Sequence, residues 1–239
     1  MKIAVITARG GSKRIPRKNI RDFCGRPIIA YAIAAAQESN LFDRIVVSTE
    51  DAEIADLSRR WGAEVPFLRP LSLADDHTGT TPTVAHAIKV LREQNCTPEW
   101  VCCLYPTVPL LEPNDLKGAF ELLMRSGAPY AFSVSAFPSP IQRALQRTSS
   151  GQMRPFYPEY EQARTQDLEP AYFDAGQFYW GKAEAWLNGV SIHQQGVGYI
   201  IPRWRAVDID TLEDWEQAEL LYKALQLKSG FSNADSISS

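Results

Sequence analysis

The sequence predicts an α/β fold whose sheet is mostly parallel and carries helices on both faces. Short segments rich in valine and isoleucine alternate with longer segments of helical periodicity, which is the pattern of βαβ units. Because the connections in such units are right-handed crossovers, consecutive strands run parallel. The alternation stops after Phe137, where a polar and aromatic-rich stretch begins. We therefore predict a single domain over residues 1–227, with a small β-containing excursion over roughly residues 137–175.

The alternating part reads as strands and helices in regular succession. The first strand, Lys2–Ala8, is short and rich in β-branched residues, as a strand buried on both faces should be. Pro66 interrupts the third strand, which predicts an edge position. Gly62 and Gly127 mark helix ends. The predicted elements are strand 2–8, helix 27–39, strand 44–50, helix 51–61, strand 63–68, helix 81–93, strand 100–105, helix 114–126 and strand 130–137.

The later part adds a hairpin and a final helix. Residues 143–156 read as two strands joined by a Ser-Gly turn, and two further strands are predicted over 173–181 and 196–202. The stretch "AVDIDTLEDWE" reads as a short strand that leads into a helix capped by Thr211 and Asp214. Residues 228–239 are small and polar, so we expect a disordered tail there.

Composition and charge indicate an ordinary globular protein. The chain has 239 residues, a net charge of −3 and a pI near 5.7, which disfavours nucleic-acid binding. No apolar run approaches the roughly 20 residues of a membrane span, and the N-terminus lacks the pattern of a signal peptide. The four cysteines form no C-x-x-C pair and read as reduced core thiols. We therefore expect a cytoplasmic protein with no nucleic-acid or membrane partner.

A cationic stretch follows the first strand directly. The segment "ARGGSKRIPRKN", residues 8–19, leaves the strand at the carboxyl edge of the sheet, where α/β folds bind ligands. Its glycine pair allows backbone N–H groups to approach an anion, although it matches neither a Walker A loop nor G-x-G-x-x-G. A solvated basic loop is the alternative, and the glycines and the position favour phosphate binding. The cations are Arg9, Lys13, Arg14, Arg17 and Lys18.

Two acids near the end of the chain form a candidate metal site. Asp208 and Asp210 are two residues apart and share one face of the predicted strand. Two carboxylates together with phosphate oxygens suit Mg²⁺. The alternative is that these acids only favour the N-terminus of the following helix, and their spacing does not decide between the two.

Weaker candidates lie in two loops and in the excursion. The hydroxyl-rich loop 67–83 carries Arg69, and the loop 104–113 contains three prolines. Gln142, Arg143 and Arg164 lie among aromatic residues, where an anionic organic substrate would find cations and hydrogen-bond donors. Surface loops and core packing explain these features equally well.

Taken together, the sequence resembles the nonulosonate cytidylyltransferases, which make CMP-activated sialic-type sugars. "ARGGSKRIPRKN" is nearly the signature of that family, and "DRIVVSTEDAEIA", "FLRPLSLADD", "YPTVPLL" and "DIDTLEDW" follow in the family's order, from Lys2 to about Gln226. "FYPEY", "RTQDLEPAYFDAGQFYWGKAEAW" and "PRWRAVDIDTLEDWE" look like the branch that acts on pseudaminic acid. Tyr105 departs from the glutamine that sialic acid enzymes usually carry in the proline-rich loop, which argues against N-acetylneuraminate as the substrate.

The resemblance implies a Rossmann-like nucleotide-diphospho-sugar transferase fold, a homodimer built through the excursion, and a need for Mg²⁺. It implies CTP and a nonulosonic acid sugar as substrates, with Arg9, Lys13, Asp208 and Asp210 as catalytic residues and the two acids as metal ligands. The nucleotide-binding set is Ala8, Arg9, Gly10, Gly11, Ser12, Lys13, Asn19, Arg69, Thr80 and Thr81. The substrate-binding set is Tyr105, Pro106, Thr107, Gln142, Arg143, Arg164, Asp174 and Gln177.

The implied reaction is cytidylyl transfer from CTP to the anomeric hydroxyl of pseudaminic acid, which gives CMP-pseudaminate and pyrophosphate. The general base stays open between a carboxylate, such as Asp174 or Asp210, and hydroxide held by the metal. The alternatives are transfer to N-acetylneuraminate, legionaminate or KDO, a glycosyltransferase with the same fold, and a non-catalytic nucleotide-binding module. Aromatic residues predict an apolar pocket for the far end of the sugar: Phe137, Tyr172, Phe173, Phe178 and Tyr179.

Overall fold

A computed structural model describes residues 1–75 and 77–234, with side chains up to residue 227. The strands are Lys2–Thr7 (β1), Asp22–Phe23 (β2), Arg26–Pro27 (β3), Arg44–Ser48 (β4), Trp100–Leu104 (β5), Tyr130–Ala136 (β6), Leu145–Arg147 (β7), Met153–Pro155 (β8), Tyr172–Lys182 (β9) and Val197–Ile200 (β10). The helices are Ile29–Ser39 (α1), Ala52–Arg60 (α2), Thr80–Glu93 (α3), Pro113–Ser126 (α4), Ala183–Leu187 (α5), Ile192–Gln195 (α6) and Leu212–Ala234 (α7).

A six-stranded sheet with the order β10-β6-β9-β5-β1-β4 forms the centre of the molecule. β1 runs parallel to β4 and β5, and β10 runs parallel to β6, which confirms the mostly parallel α/β fold. β9 pairs antiparallel with both β5 and β6. The direction of β9 was not predicted, because a strand's own residues specify its faces but not its orientation.

Apolar side chains cover both faces of the sheet, as predicted. One cluster joins the sheet to α1, α2 and α4, and the other joins it to α3 and α5. Neighbouring Cys102 and Cys103 on β5 belong to opposite clusters, since successive side chains on a strand point to opposite faces. Among the described helices, none is long and apolar enough to cross a membrane.

A third, smaller cluster connects the start of the chain to its end. Ile15 and Phe23, which follow the first strand, are fully buried against Ile209 and against Trp215 of α7. The ring of Phe23 lies edge-on to that of Trp215, with the centroids 5.5 Å apart. This packing brings the cationic loop (residues 8–19) next to the segment that carries the two acids.

The predicted third strand is wrong. Residues 63–68 contribute one isolated parallel bridge, between Glu64 and Val46 of β4. Glu64 exchanges two backbone hydrogen bonds of 2.8 Å with β4, through Val47 N–H and Ile45 C=O. Pro66 has no N–H with which to continue the ladder, so the chain leaves the sheet there.

The predicted short strand before α7 is also wrong. Residues 206–210, called here the acid segment, form an irregular loop after a 3₁₀ turn over Arg203–Arg205. Its backbone groups are bound by side chains instead of a neighbouring strand: Asp214 accepts from Asp210 N–H at 3.0 Å, and Lys18 donates to Ile209 C=O at 2.6 Å. The predicted cap is confirmed, because Thr211 and Asp214 exchange hydrogen bonds at the start of α7.

The excursion contains the predicted hairpin, in which β7 and β8 pair antiparallel. The backbone of α7 continues to Ala234, which differs from the predicted tail beginning at residue 228. Elongating an existing helix costs little, because each added N–H finds a carbonyl one turn earlier. The remainder of that tail, residues 235–239, lies outside the described residues. The assignment of residues 1–227 to one domain stays a prediction.

Candidate active site

The main cavity, of about 350 Å³, opens at the carboxyl edge of the sheet. It is walled by the cationic loop after β1, the loop before α3, the proline-rich loop after β5 and the acid segment. Sequence reasoning placed ligand-binding residues in all four of these segments. The predicted residues that line the main cavity are Arg9, Ser12, Lys13, Asn19, Arg69, Thr80, Tyr105, Pro106, Thr107, Asp208 and Asp210.

Buried polar contacts hold the cationic loop in its shape. Asn19 is almost fully buried, and its side-chain amide donates to the carbonyl of Arg9 at 2.8 Å. Arg9 donates to the carbonyl of Asp75 at 2.9 Å, which joins this loop to the one before α3. The two loops therefore enclose one end of the cavity together.

Gly10 makes two close contacts with the residues that follow β4. Its N–H donates to the carboxylate of Glu50 at 2.7 Å, so this amide is already engaged by the protein. A side chain at Gly10 would place its Cβ 2.5 Å from a carboxylate oxygen of Asp51, so glycine is needed for close packing. A Cβ added at Gly11, by contrast, would have no neighbouring atom within 4 Å. Ala8 is buried at the end of β1 and donates its N–H to Ser48 C=O.

The five cations of the loop divide into two groups. Arg17 has a left-handed backbone and binds Asp51 through two hydrogen bonds, and it also binds Glu53 on α2. The Arg17 guanidinium lowers the pKa of the Asp51 carboxyl to about 2. Arg17 thus ties the loop to the start of α2, whereas Arg9, Lys13, Arg14 and Lys18 line the main cavity.

The acid segment faces this cationic wall. Asp210 accepts from Arg14 at 2.9 Å and from Lys18 at 3.4 Å. Asp208 lines the main cavity. Partial loss of solvent around its carboxyl and the negative charge of Asp210 both raise its pKa. Crowded carboxylates of this kind are relieved by a cation between them.

The carboxylates of Asp208 and Asp210 suit Mg²⁺ better than a metal whose ligands are all protein side chains. Within residues 1–75 and 77–234, no group of three or more histidine, cysteine or acidic side chains is arranged to hold a metal ion. Mg²⁺ commonly uses one or two carboxylates and completes its shell with water and substrate phosphates. Asp208 and Asp210 at the rim of a cationic cavity match that requirement.

Arg69 and Glu50 form a buried ion pair beside the cavity. Arg69 Nη2 donates to Glu50 at 2.9 Å, and Glu50 accepts from Gly10 N–H with its other oxygen. The Nε of Arg69 is buried and lacks a hydrogen-bond partner among the described residues. Arg69 lines the main cavity, so this buried pair lies in the cavity wall.

A second cavity, of about 340 Å³, adjoins the main one. Thr80 and Tyr105 line both, and their hydroxyl groups are hydrogen-bonded at 2.7 Å. Burial raises the pKa of Tyr105. The remaining lining residues are Thr81, Tyr179 and the segment 189–193. Of the aromatic residues predicted to form a sugar pocket, Tyr179 lines this cavity, whereas Phe178 belongs to the core.

Asp174 lies beside the second cavity and is bound by two of its lining residues. Its carboxylate accepts from the Tyr179 hydroxyl at 2.9 Å and pairs with His193 Nε2 at 2.8 Å. These two contacts fix the orientation of the Asp174 carboxylate, whose side chain is 26% exposed. The sequence shows no ligand spacing around His193 and predicts a solvated or locally bonded imidazole, and the structure has an exposed imidazole that is bonded to Asp174.

Gln177 does not contact either cavity. It is 1 % exposed, and its amide donates to the carbonyl of Arg205 at 2.5 Å. Arg205 is itself buried and pairs with Asp115 in the first turn of α4. Gln177 therefore supports the turn that precedes the acid segment. The sequence did not predict this, because the face of the sheet to which a β9 side chain points depends on strand pairings that local sequence does not show.

The polar residues of the excursion also do not reach the two cavities. Gln142 donates to the carbonyl of Glu169 at 3.1 Å, and Arg143 donates to Ala163 C=O and to the Thr165 hydroxyl. Arg164 is exposed at the start of a 3₁₀ turn. Their assignment to substrate stays a prediction.

Three residues with contacts in the site were absent from the predicted set. Arg14 and Lys18 bind Asp210, and Glu50 joins the cationic loop to Arg69. The positive charge of the first two was visible in the sequence, but which cations face the acids depends on the fold of the loop. Glu50 carried a weaker signal, as an acid at the carboxyl end of a buried strand.

A cationic loop and two acids facing one cavity at the carboxyl edge of an α/β sheet define a nucleotidyltransferase type of site. The family model described as "Cytidylyltransferase" matches residues 3–172. The chain belongs to this family of CTP-using enzymes, which confirms the resemblance found in the sequence.

Relatives and solved structures agree with that membership. The chain is 44% identical over 222 residues to a pseudaminic acid cytidylyltransferase of Campylobacter jejuni, covering 92% of this chain and 96% of the relative. It is 32% identical to the CMP-N,N'-diacetyllegionaminic acid synthase of Legionella pneumophila, over 94% and 97% of the two chains. Its fold matches that of a CMP:2-keto-3-deoxy-manno-octonic acid synthetase solved with CTP, with a TM-score of 0.66, 16% identity, and 93% and 98% of the chains covered.

Proposed function

We propose that this enzyme transfers the cytidylyl group of CTP to the anomeric hydroxyl of pseudaminic acid, releasing pyrophosphate. The observation that carries the proposal is the convergence of Arg9, Lys13, Asp208 and Asp210 on one cavity from opposite ends of the chain. The Campylobacter relatives at 43–44% identity are pseudaminic acid cytidylyltransferases, which supports the choice of sugar.

The cationic loop supplies the charge that the leaving group requires. When the sugar oxygen bonds to the α-phosphorus, the bond to the β-phosphate oxygen breaks and negative charge accumulates on pyrophosphate. We assign the stabilisation of that charge to Arg9 and Lys13, which line the main cavity, and such stabilisation acts most strongly on the transition state. Asp208 and Asp210 would hold Mg²⁺, which when bound offsets two of the roughly four negative charges of CTP.

Arg69 and Asn19 place the nucleotide against the deep wall of the main cavity. Both side chains are buried, and Arg69 is held by Glu50 at a fixed position. Arg69 lines this cavity, so we assign its guanidinium to contact with the nucleotide. A buried and preorganised donor loses little entropy when the ligand binds.

The second cavity is the place for the sugar. It shares Thr80 and Tyr105 with the main cavity, so a sugar within it lies next to a nucleotide in the other. Its wall combines aromatic Tyr105 and Tyr179 with aliphatic Val190 and Ile192, and hydroxyl groups line its mouth. An apolar wall suits the C9 methyl of pseudaminate better than the C9 hydroxyl of N-acetylneuraminate.

The working assembly that we propose is a cytoplasmic homodimer formed through the excursion. Large apolar side chains are exposed there, as expected of a surface that a second copy covers. They are Phe137, Ile141, Leu145, Met153, Phe156, Tyr157, Tyr160 and Tyr172.

The test is the formation of CMP-sugar and pyrophosphate from CTP and Mg²⁺ with a panel of pseudaminate, legionaminate, N-acetylneuraminate and KDO. We expect kcat/KM to favour pseudaminate over N-acetylneuraminate by at least about 10²-fold, because a hydroxyl in an apolar pocket and misplaced acetamido groups both lose binding energy. Equal efficiencies would refute the pseudaminate assignment and leave cytidylyl transfer standing. Pyrophosphate release with none of the four acids would refute the reaction itself.

A further inference from the structure

Asp210, the proposed metal ligand nearest the cationic loop, is in contact with two cations of the protein. Arg14 Nη2 lies 2.9 Å from Asp210 Oδ1, and Lys18 Nζ lies 3.4 Å from the same oxygen. All three side chains line the main cavity. A divalent cation at Asp210 would have to share this carboxylate with them or replace them.

We propose that Arg14 and the metal ion compete for Asp210, and that nucleotide phosphates relieve the competition by binding the Arg14 guanidinium. Arg14 would then be a positioning residue that couples nucleotide binding to metal binding. This inference rests on the proposed function only in taking Asp210 as a metal ligand and phosphate as the content of the cavity. It does not depend on which sugar accepts the cytidylyl group.

Arg14 is better suited to this exchange than Lys18. Lys18 is 18% exposed and its ammonium group is held by Ile209 C=O at 2.6 Å, so it is anchored to the backbone of the acid segment. The Arg14 side chain is 66% exposed, which leaves it free to rotate about its stem. It directly follows Lys13, and a guanidinium binds phosphate with two parallel hydrogen bonds.

The coupling works in both directions, because binding free energies are reciprocal. A nucleotide that draws Arg14 from Asp210 strengthens metal binding, and a metal that displaces Arg14 strengthens nucleotide binding by the same factor. The size of the effect is limited, since an exposed ion pair contributes little. We expect a change in affinity of about two- to fivefold for removal of the Arg14 charge.

The experiment compares the wild type with Arg14→Gln in two binding measurements that involve no sugar and no turnover. Mn²⁺ binding to the nucleotide-free protein is followed by the electron paramagnetic resonance of free Mn²⁺. CTP binding is followed calorimetrically in the presence of EDTA. We expect Arg14→Gln to bind Mn²⁺ about two- to fivefold more tightly and CTP more weakly.

Two matched variants complete the design. Arg21→Gln removes the same charge from a guanidinium that lies over the Trp215 ring, and we expect much smaller changes in both affinities. Arg14→Lys keeps the charge and should bind Mn²⁺ as the wild type does. Asp210→Asn tests the metal assignment separately, because it should abolish Mn²⁺ binding in the wild-type and Arg14→Gln backgrounds alike.

Opposite signs for Mn²⁺ and CTP in Arg14→Gln support the inference, since a merely structural role would weaken both. Weakening of both affinities, no change in either, or equal effects in Arg21→Gln would overturn it. If these binding results hold but no CMP-sugar forms with any acid, the proposed function fails while the competition at Asp210 stands.

Discussion

In the main cavity, charged side chains from distant parts of the chain face one another, whereas in the excursion they bind neighbouring parts of the same segment. Lys18 and Asp210 are separated by 192 residues in the sequence and lie 3.4 Å apart. Arg143 and Thr165, by contrast, are separated by only 22 residues. The cavity is thus assembled by packing between distant segments of the chain, and the excursion is assembled by local contacts.

This difference predicts which substitutions change the chemistry of the cavity and which change assembly. The cations, acids and buried supports described for the cavity all belong to this chain, so its chemistry should respond to single substitutions. The excursion exposes more than half of Leu145, Met153 and Phe156, an arrangement that favours association with a second copy. Substitutions there should change assembly before they change chemistry.

Asp210→Asn should have the largest effect of any single change on the cavity side. A neutral amide replaces a charged oxygen ligand, so we expect turnover to fall by about 10²-fold or more with the fold intact. Pyrophosphate release measured across a range of Mg²⁺ concentrations checks this. Asp56→Asn, on the exposed side of α2, is the matched control, and wild-type turnover of Asp210→Asn at low Mg²⁺ would contradict the metal role.

Lys13→Ala should reduce kcat more than it reduces the affinity for CTP, because charge on the pyrophosphate grows during the reaction. We expect a loss in kcat of roughly 10²-fold, the size seen when one stabilising donor is removed. Steady-state kinetics with varied CTP separate the two parameters, with exposed Lys89→Ala on α3 as the control. A rise in KM alone would make Lys13 a binding residue, and no change would make this part of the loop merely solvated.

Phe156→Ser tests the excursion side of the comparison. Removing an exposed aromatic side chain from the proposed dimer interface should raise the dimer dissociation constant about tenfold or more. Sedimentation velocity over a concentration series measures it. Leu220→Ser removes an apolar side chain that is 69% exposed on α7 and should leave self-association unchanged. Equal behaviour of the two variants, or a wild type that stays monomeric at all concentrations, would argue against a dimer through the excursion.

Asp51→Asn should give the smallest effect, in stability instead of catalysis. The hydrogen bonds from Arg17 are the main cause that lowers the pKa of the wild-type Asp51 carboxyl from 3.8 to about 2. The ionised carboxylate therefore stabilises the fold above about pH 4, and this contribution is lost as the pH falls towards 2. At pH 7 we expect the variant to lose about 1 kcal/mol, since Asn keeps the helix cap but not the ion pair.

Thermal unfolding measured between pH 7 and pH 2 follows this difference. It should shrink at the acid end, where the wild-type carboxyl is also protonated. Asp56→Asn, on the same helix but on its exposed face, should show a smaller difference at every pH. A gap between wild type and Asp51→Asn that stays constant with pH would remove the ion pair as its cause.

The sequence by itself determined most strands and helices and the position of the cationic loop at the carboxyl edge of the sheet. These features follow from what neighbouring residues reveal: apolar runs, glycine and proline positions, and the rule that ligands bind at the carboxyl edge of parallel strands. The resemblance to a family added the nucleotide, the sugar and the metal. Neither source needed the positions of residues far apart in the chain.

Only the tertiary structure decided which polar residues lie at the two cavities and which are buried elsewhere. Gln177 and Asp174 lie three residues apart on β9, yet Gln177 is buried beneath the Arg205 turn while Asp174 binds Tyr179 and His193 beside the second cavity. Likewise, Arg14 reaches Asp210 while Arg17, three residues later, reaches Asp51. The physical reason is that the orientation of a side chain depends on strand pairings and loop contacts made by distant segments, and local sequence does not record them.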